Sequence, residues 1–162
     1  MKTTTIRDKM IEFYKGDPRR INHFLKVEAY ATLIAEREKV SDDIYTIISI
    51  LGYIHDIGIK YAEEKYNNTS GKLQEQLGKE PSRNMVIECG FSKAIADRVS
   101  YVVSHHHTYE NIDGIDYQIL VEADIIVNFF EDNLAQTILP SIKKNIFKTK
   151  TGLYLLDALY LK

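Results

Sequence analysis

The stretch SDDIYTIISILGYIHDIG, residues 41–58, combines an apolar helical pattern with a polar end. Ser41 is typical of a helix N-cap, and the two aspartates that follow it stabilise a first helical turn. The apolar residues then recur at helical spacing, which predicts a helix that ends near Gly58. Because His55 falls in the apolar row of this helix, we expect the pair His55-Asp56 to face the protein interior.

The rest of the chain has the same helical character. Its three prolines and eight glycines fall between periodic segments. Further helices are predicted over about residues 3–14, 18–39, 81–89, 92–104, 116–131 and 134–147, and from 151 onward. Residues 60–80 are polar and are expected to form short helices and a mobile loop, and residues 108–114 a second loop. The sequence therefore predicts an all-α fold, a compact helical bundle that forms a single domain over residues 1–162.

Composition and charge restrict the partners. A formal net charge of -2 gives no general attraction to a nucleic acid polymer or to an anionic membrane surface. No stretch of 18 apolar residues exists, and the N-terminal residues lack the apolar run of a signal peptide. The single cysteine, Cys89, excludes an intramolecular disulfide and a cysteine-based zinc site. We expect a cytoplasmic protein, a monomer or a homodimer, that binds a small molecule.

The five histidines are confined to three places: His23, His55 and the run His105–His107. His23, His55 and His106 each extend an apolar row of a predicted helix, and so does Asp124. Imidazoles and carboxylates buried without partners would cost several kcal/mol. A divalent metal ion would supply a common partner, since histidine and aspartate together are ligands of such ions.

The ordered set of histidines and aspartates resembles the signature of the HD-domain superfamily of metal-dependent phosphohydrolases. The segments that carry the resemblance are RINH (20–23), GYIHDIG (52–58), LQEQLG (73–78), VVSHHH (102–107) and QILVEAD (118–124). It covers about residues 18–132, with a terminal helix region on either side. The resemblance implies that one divalent cation is bound by His23, His55, Asp56 and Asp124. Nitrogen and oxygen ligands suit Mn, Fe, Co, Ni, Mg or Zn, and the sequence does not choose among them.

The same resemblance implies the hydrolysis of a small phosphate ester, a class that includes nucleotides. Water activated at the metal would attack phosphorus, and Asp56 is both a metal ligand and a candidate catalytic residue. Lys60 and Arg83 are candidates to stabilise the developing negative charge, and Glu75 to orient the water. His106 is a candidate to bind the substrate phosphate or to act as an acid or base.

The histidine run leaves alternatives open. In two-metal members of the superfamily, histidines of this region bind a second ion, which makes His105 and His106 candidates for a second site. Such members also bring a further histidine between the His-Asp motif and the run, and this chain has none there. We therefore favour one metal. The alternatives are a di-iron oxygenase on the same fold and a non-catalytic regulatory module that binds metal or nucleotide.

Overall fold

Every regular element within residues 2–161, the part of the chain that this computed structural model describes, is a helix. The elements are α1 (Lys2–Phe13), α2 (Pro18–Arg37), α3 (Asp42–Ile54), α4 (Gly58–Tyr66), α5 (Gly71–Glu88), α6 (Lys93–Val103), α7 (Ile115–Glu131), a 3-10 helix (Gln136–Ile138), α8 (Leu139–Asn145) and α9 (Lys150–Tyr160). The predicted all-α fold is confirmed. Residues 1 and 162 of the predicted domain lie outside the described residues.

Helix α3 lies at the centre of the bundle and packs against α1, α2, α6 and α7. The Ser41 side chain accepts a hydrogen bond from the Ile44 amide and caps the helix, as its position in the sequence predicts. A Cβ on Gly52 would come within 2.5 Å of the Glu28 Cα, so a glycine is needed where α3 crosses α2. One hydrophobic cluster extends from Ile6 to Leu156 and includes the inner residues of α3.

The segment around Pro81 differs from the prediction. Helix α5 is continuous through this proline, and only residues 67–70 separate it from α4. A proline inside a helix removes one amide donor, but packing of α5 against both α4 and α6 outweighs that loss. The hydroxyls of Ser82 and Ser100 both donate to the Lys79 carbonyl at 2.9 Å, next to the proline. The close α4–α5 crossing needs Gly58, whose Cβ would lie 2.2 Å from the Gln74 carbonyl oxygen.

The C-terminal region is broken into shorter pieces than predicted. The helix expected over residues 134–147 is a 3-10 turn followed by α8, and Pro140, which has no amide hydrogen to donate, lies in the first turn of α8. Helix α9 is joined to α7 through Glu122, which is completely buried and accepts the amides of Lys148 and Thr149 at 2.6 and 3.0 Å. This contact anchors the helix that also carries Asp124. No helix among the described residues is both long and apolar enough to cross a membrane.

Candidate metal centre

The four predicted ligands come together in the interior. His23 projects from α2, His55 and Asp56 from the turn after α3, and Asp124 from α7. Each is at most 8% exposed. One ligand atom from each residue lies within 4.8 Å of all the others. Three separate chain segments thus place two imidazoles and two carboxylates around one point.

The two imidazoles face each other across this point. The Nε2 atoms of His23 and His55 are 3.2 Å apart. Asp124 Oδ1 lies 3.3 Å from the first and 3.4 Å from the second. Asp56 Oδ2 lies 3.6 and 3.5 Å from the same two nitrogens.

The outer nitrogen of each ring faces a hydrogen-bond acceptor. His23 Nδ1 is 2.8 Å from Glu131 Oε2, and His55 Nδ1 is 3.2 Å from the Leu51 carbonyl oxygen. An Nδ1 atom that faces an acceptor carries the proton, which leaves the lone pair of each ring on Nε2. Two lone pairs and two carboxylates then converge, and only a positive charge can satisfy them. A divalent metal ion fits this set of donors.

The pKa values show how strongly the cluster attracts positive charge. Burial lowers the pKa of His23, but the nearby Asp124 and Asp56 carboxylates outweigh burial and raise it from 6.5 to about 9. Burial raises the pKa of Asp56, yet the neighbouring His55, His106 and His107 bring it well below its usual value. The pKa of Asp124 is lowered in the same way by His55 and His23. Both carboxylates are therefore held ionised, as metal ligands must be.

Asp56 also belongs to a second group, formed with His106 and His107. Asp56 Oδ1 is 2.8 Å from His106 Nε2 and 3.3 Å from His107 Nε2. His106 Nδ1 donates to the Val103 carbonyl at 2.8 Å, so its Nε2 also points inward as a potential ligand. His107 Nε2 is 2.9 Å from Gln74 Oε1. The two groups share one carboxylate, and each uses a different oxygen of it.

His105, a predicted member of the second site, is not part of this group. Its Nδ1 donates to the Tyr101 carbonyl at 2.7 Å, and its ring stacks on the Tyr101 ring at 4.3 Å. The helical row ends with α6 at Val103, and the turn that follows directs His105 outward. The same turn brings His107 inward, so His107 takes the predicted place of His105.

Three other candidates are engaged elsewhere. Lys60 Nζ donates to the Phe13 carbonyl at 2.8 Å and lies over the Phe13 ring. Arg83 Nε donates to Asp97 at 2.7 Å. Glu75 accepts the amide of His107 and the hydroxyl of Thr108, each at 3.0 Å, so it holds the histidine turn. None of the three candidates lines the cavity over the cluster, and the roles proposed from their sequence positions are not supported.

A cavity of about 400 Å³ opens onto the cluster. Its charged and polar lining residues are Arg19, Arg20, His23, Asp56, Glu63, Thr69, Gln74, His107, Asn128, Glu131 and Asp132. The two arginines supply the positive charge that was expected from Lys60 and Arg83. Helical spacing could have identified them, since Arg19 and Arg20 precede His23 by four and three residues on one helix.

Glu131 and Asn128 are two further residues that the sequence analysis missed. Asn128 Nδ2 donates to Asp124 Oδ1 at 2.9 Å, and Glu131 binds both His23 and, at 2.7 Å, Lys26. Both follow Asp124 on α7, by four and seven residues, and so share its helical face. Such contacts orient metal ligands and tune their basicity.

In comparisons of sequence, the chain matches no protein-family profile and no curated protein. Its structure is similar to the crystal structure of a predicted HD superfamily hydrolase from an uncultured Thermotogales bacterium. The two are 23% identical in sequence with a TM-score of 0.70, and the match covers 96% of this chain and 83% of the other. The chain therefore has the fold of this predicted HD superfamily hydrolase, and its buried cluster of two histidines and two aspartates could hold a metal ion.

Proposed function

We propose that the protein is a metal-dependent hydrolase of small phosphate esters. The observation that carries this proposal is the convergence of two imidazole lone pairs and two ionised carboxylates at the floor of an open cavity. The name of the structural neighbour, a predicted HD superfamily hydrolase, supports a hydrolytic reaction. A volume of about 400 Å³ lies within the range of sites that bind small molecules.

The residues around the cavity have separate roles in metal binding, ligand orientation and phosphate binding. A divalent ion at the cluster would supply Lewis acidity, both to a phosphoryl oxygen and to the attacking water. Asp56 and Asp124 supply the negative charge that holds the ion, and Glu131 fixes the orientation of His23. Arg19 can turn toward a phosphate, since its side chain is 78% exposed and its ion pair with Asp132 is 3.4 Å long.

The test is a panel of phosphate esters and nucleotides assayed for phosphate release with Mn, Mg, Co, Ni, Fe and Zn. We expect metal-dependent turnover, and a loss of about 1,000-fold or more in kcat/KM for Asp56→Asn, since several kcal/mol of transition-state stabilisation depend on the metal. Glu88→Gln is a matched control, because Glu88 pairs with Lys9 and does not line the cavity. Turnover by Asp56→Asn that equals the wild type would contradict the proposal.

A di-iron oxygenase is the second candidate, and the shared Asp56 is the observation that favours it. A carboxylate with one oxygen toward each of two ligand groups could bridge two ions. This function requires two iron ions per chain and consumption of dioxygen. Metal analysis of the purified protein distinguishes the two candidates, since a single ion per chain excludes the oxygenase.

A further inference from the structure

The cations at the mouth of the cavity are already paired with carboxylates. Arg20 is held between Asp17, at 2.9 Å, and Glu63, at 2.5 Å. Arg19 faces Asp132. His107, the remaining basic group of the lining outside the cluster, is engaged by Gln74 and Asp56. No arginine among the cavity-lining residues is left without an acidic neighbour.

Each carboxylate that lines this cavity outside the metal cluster has a basic partner, since Lys26 pairs with Glu131 at 2.7 Å, Arg20 with Glu63 and Arg19 with Asp132. Apart from the metal ligands, two arginines line the cavity together with three carboxylates, those of Glu63, Glu131 and Asp132. A divalent ion in the cluster would be balanced by Asp56 and Asp124 alone. The cavity therefore has no surplus of positive charge for a highly anionic ligand.

We propose that the mouth is a specificity filter that admits substrates with one phosphate group and rejects substrates with two or more. This inference rests on the proposed hydrolase function and names its substrate class, a phosphomonoester whose remaining part is uncharged. Glu63 and Asp132 are the residues that set this specificity.

The filter follows from where a second phosphate would have to lie. With the first phosphate at the cluster, a second one must occupy the mouth, next to Glu63, Glu131 and Asp132. Sites that bind polyphosphates offer several unpaired cations to neutralise such charge. Here Arg20 is fixed on two sides by carboxylates, and Arg19 alone can turn toward an anion. The first phosphate would bind at the cluster, whereas the second would meet carboxylates and arginines that are already paired, so its charge would lack an unpaired cation.

The experiment compares fructose 6-phosphate with fructose 1,6-bisphosphate, which share one sugar and differ in charge. For the wild type we expect kcat/KM to favour the monophosphate by about tenfold or more, as repulsion between partly screened charges gives. In the double variant Glu63→Gln/Asp132→Asn, which frees Arg19 and leaves Arg20 paired with Asp17 alone, this ratio should fall by about tenfold. Glu88→Gln, which removes an exposed carboxylate from an equally short ion pair on another surface, should leave the ratio unchanged.

A wild type that prefers the bisphosphate, or a ratio that does not change in the double variant, would overturn the inference. If the wild type hydrolyses neither sugar phosphate nor any ester of the wider panel, the hydrolase proposal fails by itself. The filter is then tested by calorimetry, at a fixed free Mn²⁺ concentration, with orthophosphate and pyrophosphate as ligands. Tighter binding of orthophosphate, reversed in the double variant, supports the filter, and tighter binding of pyrophosphate to the wild type contradicts it.

Discussion

The two ligand groups that meet at Asp56 are built in different ways. In the inner group, His23 and Asp124 come from within long helices, and His55 and Asp56 follow directly after α3. In the outer group, His106 and His107 come from the turn that follows α6. Two of the inner ligands, His23 and Asp124, are oriented by the packing of helices, whereas both histidines of the outer group depend on contacts that shape one turn. Two ligand groups that share one carboxylate can thus differ in how their other ligands are positioned, by helix packing in one group and by a turn in the other.

The largest expected effect is on metal affinity, which Asp124→Asn should weaken more than His106→Asn does. Asp124 contributes to the inner group alone, so the loss of its charge should weaken metal binding by more than about 100-fold. His106 contacts the ligand Asp56 from behind, and its replacement should cost about 10-fold to 100-fold. Calorimetric titration with Mn²⁺ measures both affinities and the number of ions bound.

The stoichiometry decides how the two groups are used. One ion per chain in the wild type and in His106→Asn agrees with a single metal in the inner group. Two ions in the wild type and one in His106→Asn would show that the outer group is itself a metal site. Thermal unfolding of the metal-free variants provides the control, since a variant that does not fold has no interpretable affinity.

The pH dependence of metal binding should reflect the inner group. Without metal, Asp124 and Asp56 raise the pKa of His23 from 6.5 to about 9, and Glu131 contacts the same ring. The metal-free protein therefore carries a proton that a metal ion must displace. Since the folded pKa is above the unfolded value, this proton stabilises the metal-free fold fully below pH 6.5, and the stabilisation is lost as the pH rises through about 9.

Apparent metal affinity should accordingly increase with pH, by up to about tenfold per unit between these two values, and then level off. Titrations in buffers of different ionisation enthalpy report the proton released on binding. His105→Gln should show the same slope as the wild type, because His105 lies outside both ligand groups. A metal affinity that is constant from pH 6.5 to 9, with no proton released, would contradict the displacement of a proton from His23.

The difference between the two groups also explains how far the sequence could predict the site. Helical periodicity alone brought His23 and Asp124 to the inner face, because residues three or four apart share a face. The same rule identified His106, whereas His105 was named from the resemblance to two-metal members, and the inward position of His107 depends on a turn that periodicity does not describe. Lys60 was chosen because it follows the His-Asp motif, and Arg83 because it follows the segment LQEQLG of the resemblance. Their partners, the Phe13 carbonyl and Asp97, come from other helices that no local pattern reveals. The continuity of α5 through Pro81 likewise depends on tertiary packing.

The smallest effect on activity is expected from a change at Tyr117. This residue lies on α7, which carries Asp124, and contacts the turn that carries His106 and His107. Its hydroxyl lies within hydrogen-bond reach of the carbonyls of His105 and Thr108, at the two ends of the histidine turn. Tyr117→Phe keeps the buried ring and removes this contact, so the free energy of unfolding should fall by about 1 kcal/mol. If the turn positions His107 at the cavity, kcat/KM should fall several-fold while the affinity of the inner group for metal is maintained.

Tyr160→Phe is the matched control, because the Tyr160 hydroxyl donates to the Ile126 carbonyl of α7, away from the turn. Denaturant unfolding should show a similar loss of stability in both variants, of about 1 kcal/mol. Only Tyr117→Phe should change turnover, since of these two tyrosine hydroxyls only that of Tyr117 contacts the turn that carries His106 and His107. Equal turnover in the two variants would mean that the turn keeps its shape through Gln74 and Glu75, which contact it from α5. In that case the outer group is as firmly specified by helix packing as the inner one.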